Sequence, residues 1–213
     1  MHTTPRNVIA VAALAILVSA CASGNTQAPE PGSSRGTPPD LRGLKVIVLP
    51  FQQNAGVPGN PDAELAFGLQ SRSPGVEWVL PEEMDGILAR SPSVRTRTRG
   101  LSVGIFLRTE VDRVGDPLYG ELRRMAALVD AEVVLIPIGI SPSNAEAEGD
   151  PTVAVTAALV VARTGRVAWF GIVEGEALPA GDPRGLASAV DQLARTLLWY
   201  AGEPLSQGAG NDR

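Results

Sequence analysis

Lys45-Val46-Ile47-Val48-Leu49-Pro50 sets an unbroken apolar run, rich in β-branched residues, between a lysine and a proline. A strand with one wet face alternates apolar and polar side chains. This one does not, so it predicts a short strand buried on both faces. Such a strand needs a covering layer on each side, and its neighbours read as helices. Residues 61–72 predict a helix with Pro61 early and Leu65, Ala66 and Leu69 on one face. Residues 76–80 predict a second strand. Pro81-Glu82-Glu83 then opens another helix, its acids placed at the positive end of the helix dipole and Met84, Ile87 and Leu88 forming the buried stripe.

The same logic carries to the C-terminus. Leu118, Leu122, Met125 and Val129 share a helical face behind Pro117, and Asp130-Ala131 ends that helix. Val133-Val134-Leu135-Ile136 repeats the pattern of a strand buried on both faces, followed by a polar, acidic turn over 141–151. Residues 152–163 and 166–176 flank Thr164-Gly165 and predict a β-hairpin, glycine supplying the positive φ of a tight turn. Val153, Val155, Leu159 and Val161 are expected on one face of its first strand, and Val167, Trp169 and Val173 on one face of its second. Leu186, Val190, Leu193 and Leu197 stripe a last helix reaching about residue 201. The expected fold is α/β (α+β), a mixed sheet of about four to five strands with an antiparallel C-terminal hairpin, packed by three to four helices. It occupies residues 44–201 as one domain, and the polar tail 202–213 is expected to be disordered.

Ahead of the domain, Arg6 precedes eleven apolar residues, Val8 through Val18, and small residues lead to Cys21. That is the layout of a secretory signal over residues 1–20, too short for the roughly 20 apolar residues of a spanning helix. Val18-Ser19-Ala20-Cys21 resembles the lipobox of bacterial lipoproteins. The resemblance implies cleavage between Ala20 and Cys21, lipid such as palmitate on the Cys21 sulfur, and an acylated N-terminus. The alternative is an ordinary signal peptide followed by a free thiol, but a lone cysteine suits a lipid site better than a disulfide. Ala22 stands where an inner-membrane retention signal would place aspartate. The resemblance therefore implies an outer-membrane protein facing the periplasm, or the outer face of the inner membrane in a host that sorts differently. Residues 22–43, rich in Pro, Gly, Ser and Thr, read as a flexible tether, roughly 70 Å extended and about 25 Å as a coil. Within it, Gly32-Ser33-Ser34-Arg35-Gly36 matches a nucleophile elbow in letters only, since strand, helix and histidine are all missing from its context.

Cleavage removes His2, the only histidine, and leaves Cys21 as the only thiol. Imidazole acid–base chemistry, Ser-His and Cys-His nucleophiles and Cys/His zinc sites are thereby excluded. In the mature chain 17 basic residues face 23 acidic ones, a balance that argues against nucleic acid as partner. The expectation is a protein without cofactor, metal or enzymatic activity; no pair of carboxylates is singled out by spacing as a glycosidase would need.

Residues 45–51, ending in Leu49-Pro50-Phe51, resemble the opening strand of periplasmic domains in curli-secretion-channel lipoproteins. Lipoprotein activators of penicillin-binding proteins and the N-terminal domain of the Tol-system propeller protein share that domain type. Ala126-Ala127-Leu128 followed by Val133-Val134-Leu135-Ile136 is similar to the same group's helix and strand. Thr164-Gly165 with Val167-Ala168-Trp169 is similar to its hairpin. Glu132 replaces the group's usual aspartate, and Ala162-Arg163 its hairpin acid. The resemblance implies a lipid-anchored, non-catalytic interaction or assembly and regulatory factor acting on another envelope protein. Its alternative is a ring-forming, homo-oligomeric secretion-channel subunit.

The candidate contact residues follow from the segment between the second and third helices. Arg95, Arg97 and Arg99 alternate with Val94, Thr96 and Thr98, so an extended backbone puts three guanidinium groups on one side. They would meet lipid phosphates or an acidic partner, or simply water. Leu101 to Leu107 reads as a short edge strand or a packed loop. Trp169 and Phe170 point to opposite faces of a strand, which leaves one of them to a partner or both covered by the last helix. Trp199-Tyr200 reads equally as an interface or as helix-end packing. Glu146, Glu148 and Asp150 match no calcium-loop spacing.

Overall fold

The computed structural model describes residues 32–73, 75–107, 111–143 and 149–199. The signal, Ala20, Cys21 and the 202–213 tail lie outside the described residues. In chain order the elements are β1 (Ser34–Gly36), β2 (Lys45–Val48), α1 (Pro61–Arg72), β3 (Glu77–Val79), α2 (Pro81–Ala89), a 3-10 turn (Val103–Leu107), α3 (Leu118–Val129), β4 (Val133–Ser143), β5 (Thr152–Val161), β6 (Arg166–Glu174) and α4 (Pro183–Leu197). They build one mixed six-stranded sheet in the order β1-β6-β5-β4-β2-β3. β2 runs parallel to β3 and β4, and the remaining pairs are antiparallel.

The run at 45–50 does what its pattern requires. Val46 and Val48 join Val133, Leu135, Val155 and Leu159 under α1 and α4. Ile47 and Leu49 join Val134, Ile136, Ala158 and Val160 under α2, the 3-10 turn and α3. The sheet is therefore covered on both sides. Leu65 and Leu69 of α1 and the whole 186/190/193/197 stripe of α4 are buried on the first side. Gly68 lets these two helices approach, since a Cβ there would stand 3.1 Å from Val190 Cγ1. On the second side Met84, Leu118, Leu122 and Met125 are buried. Asp130 ends α3 in the left-handed conformation, φ 56°. Glu132 then closes the gap to β2, its carboxylate accepting a hydrogen bond from the Lys45 amide at 2.8 Å.

Four expectations change. The stretch read as tether contributes β1, which pairs with β6 through Ser34↔Gly171 and Gly36↔Trp169, and its neighbour Leu41 is fully buried. Ser, Arg and Gly held by main-chain hydrogen bonds leave no apolar signature. Residues 141–143, read as turn, continue β4 and pair with Ala154, Val153 and Thr152. Val167 faces away from Trp169 and Val173, because the register shifts between Leu159 and Val160 and leaves Ala168 as an extra residue. Finally, α4 ends at Leu197, four residues short of the expected position.

Edge protection is shared. Val167 N donates to Asp112 O at 2.8 Å, and Ile172 N donates to Ser33 O at 2.9 Å. Segment 112–114 thus covers the start of β6 and β1 covers its middle, with an Arg35–Asp112 ion pair of 2.5 Å joining the two covers. Edges blunted in this way resist pairing with other chains.

Candidate functional site

The segment between α2 and the 3-10 turn has no regular structure, yet it is tied down at every second residue. Thr96 donates its hydroxyl hydrogen bond to Glu121 of α3. Thr98, 3% exposed, donates to Asp85 Oδ1 of α2 at 2.6 Å. Gln52, just past β2, locks the same segment from below. Its amide nitrogen donates to Pro50 O at 2.8 Å and to Thr98 O at 2.9 Å, and its oxygen accepts from Leu101 N at 3.0 Å. Leu101, Val103 and Phe106 then sink into the second core. The strap therefore crosses the end of β2 with threonines inward and arginines outward. The stretch Leu101 to Leu107 is a packed loop that closes in the 3-10 turn Val103–Leu107, one of the two forms the sequence allowed.

Arg95, Arg97 and Arg99 are all exposed, as alternation in an extended chain predicts. Side chains two residues apart in such a chain stand about 6.6 Å apart. Arg99 is spent locally, its guanidinium lying 2.7 Å from Asp62 Oδ2. Asp62 in turn accepts the Phe51 amide at 2.7 Å, so the ion pair fastens the strap to the start of α1. Arg95 and Arg97 make no ion pair among the described residues and present full charges to solvent. Chemically the row suits carboxylates or phosphates, which guanidinium groups bind in paired hydrogen bonds.

The other candidates separate. Trp169 is 1% exposed and lies in the core beneath α4, away from the surface of this chain. Phe170 faces the opposite side, half-buried, and stacks on Phe106 with ring centroids 5.9 Å apart. Trp199 is exposed beyond α4, and Tyr200 lies outside the described residues. Glu146 and Glu148 also lie outside them; Asp150 is exposed. Among the described residues no three His, Cys, Asp or Glu side chains are placed to hold a metal ion, and no helix is long and apolar enough to cross a membrane.

Sequence reading missed Phe67. It occupies a solvent position of α1 and is 69% exposed, on the wall of a groove of about 550 Å³ between α1 and the start of α2. Its only signal was a large aromatic out of phase with the Leu65/Leu69 stripe.

No family model and no curated protein matches the chain. Solved structures similar to it include the LpoB C-terminal domain from Salmonella enterica, at 16% identity and a TM-score of 0.39, covering 65% of this chain and 86% of that one. A PelC dodecamer from Paraburkholderia phytofirmans is similar at 18% identity and a TM-score of 0.40, covering 78% and 96%. Lipoprotein GNA1162 from Neisseria meningitidis is similar at 16% identity and a TM-score of 0.38, covering 72% and 99%. Likeness at this level assigns no activity, partner or assembly to the chain.

Proposed function

We propose that this protein is a lipid-anchored, non-catalytic factor of the cell envelope, fastened to the outer membrane through Cys21 and facing the periplasm. It docks another envelope protein through the row Arg95/Arg97/Arg99. The observation that carries this reading is the seating of Thr96 and Thr98 on Glu121 and Asp85, which holds the arginines outward on a fixed backbone. A contact surface already ordered loses less entropy when a partner binds. Because the chain is docked on the sheet from Ser33 onward, at most residues 22–32 can serve as tether, a span of no more than roughly 40 Å.

Two measurements test it. The N-terminal peptide of membrane-extracted protein should carry acyl chains on Cys21, and Cys21→Ser should free the protein from the membrane fraction. Crosslinking in intact membranes should give a defined adduct that the Arg95→Glu/Arg97→Glu variant loses while its thermal melt is unchanged. An undiminished adduct removes the arginine row from the proposal. Point substitution is needed because deleting residues 91–115 would strip Leu101, Val103 and Phe106 from the core.

A further inference from the structure

Phe67 is not explained by the packing of its own helix. Leu65, Gly68 and Leu69 turn inward and are buried, while Phe67 stands out between two depressions. One, of about 550 Å³, opens toward the first turn of α2; the other, of about 650 Å³, opens toward α4 and the end of β6. Both walls carry arginines, and all of these are already engaged. Arg99 is held by Asp62, while Arg72 and Arg195 are both held by Asp191. Left over on the two walls are Glu64, Glu82, Glu83, Glu174 and Glu176, none in a close ion pair among the described residues, although Arg184 acts on Glu176 through space. An exposed aromatic ring thus sits among carboxylates that outnumber the cations beside them.

Those two properties together select a ligand. A large aromatic in a groove is the usual energetic centre of an interface, and the polar ring around it excludes water once a partner is seated. Covering these carboxylates with a neutral or acidic surface would desolvate them without compensation. A cationic surface relieves their mutual repulsion and is steered toward them. We infer that Phe67 and its flanking carboxylates form a docking groove for an extended basic segment of another envelope protein. An apolar side chain of that segment sits on the Phe67 ring, with lysine or arginine on either side reaching Glu82 and Glu83 in one direction and Glu64 in the other. This surface deepens the envelope-factor reading but does not depend on the arginine row, which has the opposite charge.

The test uses the complete mature chain with Cys21→Ser, free of detergent, and a fluorescein-labelled decapeptide alternating lysine with leucine. Fluorescence anisotropy should show saturable binding that weakens at least tenfold with Phe67→Ala and, separately, with Glu82→Gln/Glu83→Gln. Arg95→Glu/Arg97→Glu should leave the affinity within twofold, so the two surfaces succeed or fail separately. Replacing leucine by serine in the peptide should also weaken binding tenfold. Thermal melts confirm that the variants are folded, which an exposed Phe67 permits. Absence of binding, equal binding of a glutamate–leucine peptide, or an affinity unmoved by Phe67→Ala overturns the inference. So does a Phe67→Ala variant that turns a dimer of the parent into a monomer, because the groove would then belong to a second copy of this chain.

Discussion

Thr98 and Asp85 are joined by a hydrogen bond of 2.6 Å that turns an irregular segment into a fixed platform. The threonine is almost fully buried between two exposed arginines, so its hydroxyl is one of the bonds that set where the strap lies. Thr98→Val keeps the shape and deletes the donor. Asp85 is exposed enough to turn to water, so the expected loss is about 1 kcal/mol, not the larger penalty of a stranded buried group. For a chain of this size that is a fall of about 2–4 °C in Tm, read by circular dichroism.

Trp169 and Phe170 are adjacent, and the sheet gives them opposite fates. Trp169 is walled in by α4 and by Gly171, where a Cβ would lie 2.6 Å from Trp169 Cζ2. Trp169→Ala should cost about 3–5 kcal/mol, the range for large core truncations. Phe170→Ala, on a half-buried ring stacked with Phe106, should cost clearly less. Urea unfolding of the two variants gives the order. A Trp169→Ala protein as stable as the parent would mean that the indole does not hold up the core.

What the sequence made legible was what burial writes into residue type. β2 beyond Lys45 and the start of β4 are apolar at every position because both of their faces are covered, and the α4 stripe is complete because one face alone is. β1 left no trace, since Ser34-Arg35-Gly36 is held by its backbone and an edge strand can be made of anything that pairs. Val167 was misplaced by one inserted residue, because a period of two has no memory of phase across a bulge. The strap showed its alternation but not its anchors, as Glu121 and Asp85 come from helices that periodicity cannot place against it. Phe67 was invisible for a related reason: on a helix, position says which residue is exposed but not what stands opposite.

Gly36 offers a direct handle on β1. Its φ is +75°, and a Cβ there would come within 2.3 Å of Ala168 O. A left-handed non-glycine residue already costs about 1–2 kcal/mol, and the overlap with a backbone oxygen adds to it. A three-residue strand cannot absorb that, so Gly36→Ala should detach β1 while the five other strands stay paired. Hydrogen exchange should report it as lost protection at the Ile172 amide, which donates to Ser33 O, with the amides of β4 and β5 unchanged. Protection retained at Ile172 would show that the edge is held by something other than β1.

Asp191 gives the α1–α4 contact a pH dependence of defined sign. Burial pushes its carboxyl up, but the hydrogen bonds from Arg195 and Arg72 outweigh burial and hold it below the ordinary aspartate value. A pKa lower in the folded than in the unfolded chain stabilises the fold above the unfolded value of about 3.9 and is lost as pH falls through the folded one. The carboxylate and the Arg72 side chain are each about a third exposed, so solvent screens the interaction and leaves roughly 0.5–1 kcal/mol. Asp191→Asn should therefore unfold at lower urea than the parent at pH 7, and the two midpoints should converge below about pH 4. Midpoints that differ equally at pH 7 and pH 3 would assign the loss to packing at the helix pair and not to charge.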